Sequence, residues 1–148
     1  MNILISGCLL GIGCRYDGKK KPLPQKTLNL LKAKFNLIPV CPEQLGGLPT
    51  PRIPSERQGD KFIMADGTDV TENYRHGAEE TMCIAKLFNC HIALLKEKSP
   101  SCGCGLIYDG SFSRTLTKGD GATAELLKEN GISVFGESQI EELFKKAK

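Results

Sequence analysis

Short apolar runs recur along this chain, each ending in a loop. Residues 2–6, 37–40, 91–95 and 132–135 are brief and rich in Ile, Leu and Val. Such runs, bounded by turn residues, predict strands. Between them, apolar positions fall three and four apart. Leu28, Leu31 and Phe35 predict a helix over 24–35. Ala78, Met82, Ala85 and Leu87-Phe88 predict another over 72–88, with Thr71 as its cap and Glu72 favouring the dipole. A short helix over 121–129 ends near Asn130-Gly131, a left-handed stop signal. A terminal helix over 137–147 turns Ile140, Leu143 and Phe144 inward. Two excursions break the alternation. Residues 61–65 and 69–70 flank Asp66-Gly67, a hairpin signal, and 106–108 with 112–117 surround Asp109-Gly110. Residues 39–59 carry five prolines and read as a loop, because proline fixes φ and removes a donor. Strands alternating with helices predict an α/β fold with a mainly parallel sheet.

That pattern gives the cysteines their meaning. Cys8 follows the first strand, Cys41 the second, and Cys102 comes a few residues after the third. If these strands are parallel neighbours, the three thiols meet where open α/β sheets bind ligands. Three thiolates in one crevice suggest a metal centre with a position left free. Scattered single cysteines lack the paired knuckles of structural zinc and suit an iron–sulfur cluster, but a set of reduced thiols without metal fits the spacing too. Cys83 and Cys90 are read as core residues. Cys14 is harder to place; Cys14, by folding back from its loop, and Cys104, from beside Cys102, are the candidates for a fourth thiolate that would close the centre.

Composition narrows the setting. A length of 148 residues predicts one domain, 1–148, and a net charge of +3 is too mild to argue for nucleic acid. Seven cysteines is an odd count for a disulfide framework. No secretory signal or membrane-length apolar run is visible, so a cytoplasmic protein with reduced thiols is expected. Glu43, two residues beyond Cys41, is a candidate general acid or base whose alternative is a solvated glutamate. Ser99 and Ser101 flank Pro100 before Cys102; they either face a substrate or simply build a turn. Arg15, Arg52, Arg57 and Lys19 to Lys21 either hold a phosphate or form a solvated basic face.

Three motifs, taken together, resemble the thiouracil desulfurase family. They are Ser6-Gly-Cys8-Leu-Leu-Gly-x-x-Cys-Arg15-Tyr-Asp-Gly18, Pro39-Val-Cys41-Pro-Glu43-Gln-Leu-Gly-Gly-Leu-Pro-x-Pro-Arg52 and Lys98-Ser-Pro-Ser-Cys102-Gly. The resemblance implies a Rossmann-like, three-layer α/β domain whose loops at the strand C-terminal ends carry the cysteines. It implies a 4Fe–4S cluster on Cys8, Cys41 and Cys102, Glu43 as catalytic acid or base, and Ser99 as its helper. Ser101, Arg15 and Arg52 then become candidates for substrate binding. The implied activity replaces the sulfur of a thiolated pyrimidine (thiouracil, thiouridine or its nucleotides) with oxygen from water. A small-molecule substrate is expected over nucleic acid, with no membrane partner; the oligomeric state is not legible. Two rivals are a non-catalytic iron–sulfur or zinc protein acting as sensor or sulfur carrier, and a thiol enzyme with one low-pKa cysteine.

Overall fold

The computed structural model describes residues 1–147. Its centre is a parallel sheet of four strands: β1 (Asn2–Ser6), β2 (Asn36–Val40), β5 (Ile92–Leu95) and β8 (Ser133–Gly136), in the order β2-β1-β5-β8. Around it run α1 (Gln25–Lys34), α2 (Pro42–Leu45), β3 (Ser55–Gln58), β4 (Lys61–Met64), α3 (Thr71–Leu87), β6 (Leu106–Tyr108), β7 (Leu116–Lys118), α4 (Ala122–Glu129) and α5 (Ile140–Lys146).

The inner strands are buried on both faces, as parallel sheets require. Side chains alternate across the pleat. Ile3, Ile5, Ile92 and Leu94 pack with Leu31, Phe35 and Leu143 beneath α1 and α5. Leu4, Ala93 and Leu95 pack on the opposite face with Met82, Ala85, Ala124 and Leu127 of α3 and α4. The result is three layers, α/β/α, as the resemblance implies. Each layer follows from a local pattern: two-residue alternation in the strands, and a stripe on each helix.

Several sequence expectations shift. Leu87 and Phe88 end α3 in the open, 74% and 41% exposed, and Cys83 is exposed rather than core. Cys90 is buried, as expected. Thr71 does not cap α3 as expected. It is the helix's first residue, and Asp69 Oδ1 accepts from its N–H (2.9 Å) and hydroxyl (2.6 Å). The segment 39–59 contains α2 and β3, and β3 pairs with β4 around Gly59-Asp60. The Asp66-Gly67 turn is a second, smaller reversal that bridges Ile63 to Asp69. The later hairpin pairs β6 with β7, leaving Phe112 and Ser113 in its long turn.

Candidate active site

Strand order places the site. From β1 the chain leaves toward α1 on one face of the sheet; from its neighbour β5 it leaves toward α4 on the other. Connections diverging from adjacent parallel strands open a crevice at their carboxyl ends. Ser6 and Val40 are paired at the tops of β1 and β2, so the loops bearing Cys8 and Cys41 start side by side. The loop bearing Cys102 rises from β5 and is tied to β1 at its base, where Lys96 N–H donates to Ser6 Oγ (2.9 Å).

The thiols converge there. Cys14 has the thiols of Cys8 and Cys41 as neighbours, and the Cys41 thiol points at the Cys14 carbonyl at 3.7 Å. Cys102 is buried beside the Ser6 hydroxyl, with Cys41, Cys14 and Glu43 as its charged-group neighbours. Burial pushes the Cys102 thiol up to about 12. The contact with Cys14 and burial push Cys41 up as well. In Cys14 the contact with Cys41 acts downward, but the Cys8 contact and burial prevail and the thiol is raised. Crowded, desolvated thiols that resist ionisation are the expected behaviour of soft ligands awaiting a cationic partner.

That donor set fits an iron–sulfur cluster. Cysteine thiolates are the ligands such clusters use. Among the described residues no three Cys, His, Asp or Glu side chains gather around a single-ion position. A cluster has no such need, because each thiolate binds a different iron. Of the two candidates for a fourth thiolate, Cys104 faces away, its thiol pointing at the Val134 carbonyl at 3.7 Å and contacting Lys128. Cys14 sits at the centre of the site, which sequence spacing alone left unplaced.

Glu43 enters this crevice from the first turn of α2. Its Oε2 accepts from the Tyr74 hydroxyl at 2.5 Å and from Arg52 Nε at 3.3 Å. Tyr74 comes from α3 and is 1% exposed, its ring stacked on Phe62 at 4.8 Å. Burial and the adjacent Glu43 push the Tyr74 hydroxyl above its ordinary range. Sequence reasoning missed Tyr74, because an aromatic on a helix stripe reads as core; nothing in spacing betrays the hydroxyl.

Two expected substrate contacts are engaged by the protein itself. Arg52 turns inward, its side chain only 2% exposed. Besides Glu43 it donates to Pro49 O, Thr50 Oγ1 and Cys14 O. Four of its five N–H donors are thus spent inside the protein, so it braces loops instead of facing a phosphate. Ser101 is 1% exposed and its hydroxyl is bonded to Thr123 Oγ1 at 2.8 Å. Its carbonyl accepts from Thr123 and Ala124 N–H, anchoring the start of α4. Arg57, too, is engaged, with Glu125 and the Asp120 carbonyl.

Ser99 holds the Cys102 turn. Its Oγ accepts from the N–H groups of Ser101 and Cys102, both at 3.1 Å. As acceptor in both, it keeps its own proton to donate. Arg15 stands near Cys8 on the outer side, paired with Asp17 at 3.2 Å, and this pairing holds the Asp17 carboxyl below its usual range.

Comparison with known proteins agrees with this geometry. A model of the 2-thiouracil desulfurase family matches residues 3–139. This chain belongs to that family. An uncharacterized protein of Bacillus subtilis (strain 168), YbbK, is 42% identical over 151 residues, covering 95% of this chain and 99% of its own. Among solved structures, the 4Fe–4S-dependent thiouracil desulfidase TudS superposes with a TM-score of 0.94 at 44% identity, covering 98% of this chain and 96% of that one. As a family member, the chain carries its three motifs on the three loops that meet at the switch between β1 and β5.

Proposed function

We infer that this chain is a single-domain, 4Fe–4S-dependent desulfurase of thiolated pyrimidines, with water supplying the oxygen that replaces sulfur. The observation that carries this reading is the gathering of Cys8, Cys41 and Cys102 around Cys14, with one anchored carboxylate, Glu43, in the crevice of a 2-thiouracil desulfurase family member. Cys8, Cys41 and Cys102 hold the cluster. When bound, it supplies a Lewis acid for the thiocarbonyl sulfur.

The remaining work belongs to the chain. Glu43 takes a proton from the attacking water, or gives one to the ring nitrogen, through the oxygen that Tyr74 and Arg52 leave free. The Ser99 hydroxyl, fixed by its two backbone donors, offers its proton to that water or relays it. Thiocarbonyl and water become carbonyl and hydrogen sulfide, so no electron donor is needed. Arg15 stands at the rim for the polar or phosphate edge of the substrate. A free base, nucleoside or nucleotide is the substrate expected over a nucleic acid, for which a net charge of +3 is mild. Seven free thiols suit a reducing, cytoplasmic setting, and no helix among the described residues is long and apolar enough to cross a membrane.

The test is anaerobic. The reconstituted protein is assayed for iron and sulfide, then mixed with 4-thiouracil, 4-thiouridine or its monophosphate. About four irons per chain with loss of the thiocarbonyl absorbance is expected. A full cluster with none of these substrates consumed would sink the reading and favour a non-catalytic carrier or sensor.

A further inference from the structure

Glu43 is held by an arrangement that goes beyond a carboxylate in a crevice. Both anchors, the Tyr74 hydroxyl and Arg52 Nε, engage the same oxygen, Oε2. No N–H or O–H among the described residues donates to Oε1. Tyr74 is itself immobilised. Its ring is stacked nearly parallel on Phe62, at 10°, and its body is fully buried between α3 and the β3–β4 hairpin. Beside it lies the buried hydroxyl of Ser55. A phenol is an unneeded expense at a purely apolar core position, because a buried hydroxyl must find a partner. Here the partner is the one carboxylate that faces the cysteines.

We propose that Tyr74 is a positioning residue: by donating to Oε2 it fixes the rotation of the Glu43 carboxyl, so that Oε1 alone meets the water or ring nitrogen of the substrate. This rests on the role given to Glu43 above. Arg52 holds the same oxygen more loosely, at 3.3 Å against 2.5 Å, and cannot fix the rotation alone. Small misplacements of a reacting group cost on the order of 100-fold in rate.

The experiment uses the reconstituted holoenzyme with Tyr74→Phe, which keeps the ring on Phe62 and removes only the hydroxyl. The expected result is a kcat lower by about 10- to 100-fold, with KM for 4-thiouracil and iron and sulfide content unchanged. Glu43→Gln and the double variant complete a cycle. If Tyr74 acts through Glu43, the double variant is no slower than Glu43→Gln alone. A purely structural role would multiply the two losses, and that outcome, or a near-normal kcat in Tyr74→Phe, overturns the proposal. A crystal structure of Tyr74→Phe gives a second reading, free of activity. A Glu43 carboxyl that leaves its place supports the proposal; one that stays put refutes it. Should the wild-type protein not consume thiolated pyrimidines at all, the functional reading fails and the crystallographic result still decides the role of Tyr74.

Discussion

The two loops that bring Cys41 and Cys8 to the crevice begin as neighbours and are built in opposite ways. The Cys41 loop is clamped from outside. Pro42 starts α2, and α2 lies directly on the backbone of α3. A Cβ on Gly77 would stand 1.9 Å from the Pro42 carbonyl, and one on Gly46 would stand 2.0 Å from Asn73 O. Asn73 Nδ2 donates to Gly46 O at 2.9 Å, closing the contact. The Cys8 loop, by contrast, has one 3₁₀ turn and no helix beneath it; its long-range ties come from Arg52, whose N–H donates to Tyr16 O and whose guanidinium donates to Cys14 O, both at 2.8 Å. Ile12 and Tyr16 are exposed on it, as are Lys19, Lys20 and Lys21. Precision therefore lies on the side that carries Glu43, the proposed acid or base. The other side forms an open rim. Sites hold chemistry on rigid elements and leave recognition to loops.

The sharpest way to break this contrast is to remove a thiol from either side. Cys41→Ala, Cys102→Ala or Cys8→Ala is expected to abolish cluster retention, read as iron and sulfide after anaerobic reconstitution. A full four irons in any of the three would remove that cysteine from the ligand set. Next comes the carboxylate. Glu43→Gln is expected to keep the cluster and lose about 100- to 10,000-fold in turnover, the usual worth of general acid–base assistance. Near-normal turnover with an intact cluster would put the proton elsewhere.

Gly77→Ala then tests the clamp without touching the crevice. The added methyl has no space beneath Pro42, and overpacking of this kind costs about 1–3 kcal/mol. A lower Tm together with lower cluster content is expected, because Pro42 carries Cys41 and Glu43 with it. An unchanged melting curve would mean that α2 rides loosely on α3. Lys20→Ala, on the rim loop, should change stability by no more than about 0.5 kcal/mol.

A smaller effect follows from the buried thiols. The folded chain raises Cys102 to about 12, and Cys41 and Cys14 are raised too. An unfolded thiol ionises near its ordinary value of about 8.5. Groups raised by folding add stability fully below the unfolded value and lose it as pH rises toward the folded one. The metal-free chain should therefore melt at progressively lower temperature between about pH 8.5 and 12. Cys102→Ala should flatten that slope; a slope unchanged by it would assign the effect to other groups.

Much of this contrast could be read from the chain. Apolar alternation placed the strands, and strand order then placed Cys8, Cys41 and Cys102 on one crevice, as their positions after each run suggested. What the chain did not reveal was side-chain direction. Arg52 lies in a proline-rich loop and looks solvent-facing, but the loop folds back and its guanidinium is consumed by Glu43 and three backbone or hydroxyl oxygens. Ser101 looks like a site hydroxyl beside Cys102, but Thr123 claims it from α4. Tyr74 looks like core. In each case the deciding partner is a residue distant in sequence, 22 to 38 positions away for the contacts of Ser101, Tyr74 and Arg52 with Thr123, Glu43 and Cys14. Periodicity reports which face of an element is buried; it carries no information on which polar group waits there.

The weakest expected effect concerns the rim, and it separates recognition from chemistry. Arg15 is held by Asp17 at 3.2 Å in a pair that is 17% and 21% exposed. An ion pair that solvent still reaches contributes little, so Arg15→Ala should barely move the Tm. Its guanidinium makes a two-point contact with Asp17 and can exchange it for a phosphate, which carries more charge in the same fork geometry. With 4-thiouridine monophosphate, Arg15→Ala should then raise KM several-fold and spare kcat, while the free base 4-thiouracil is handled as before. An equal loss with both substrates would place Arg15 against the pyrimidine itself. A fall in kcat alone would bring the rim into the reaction and erase the division between the clamped loop and the open one.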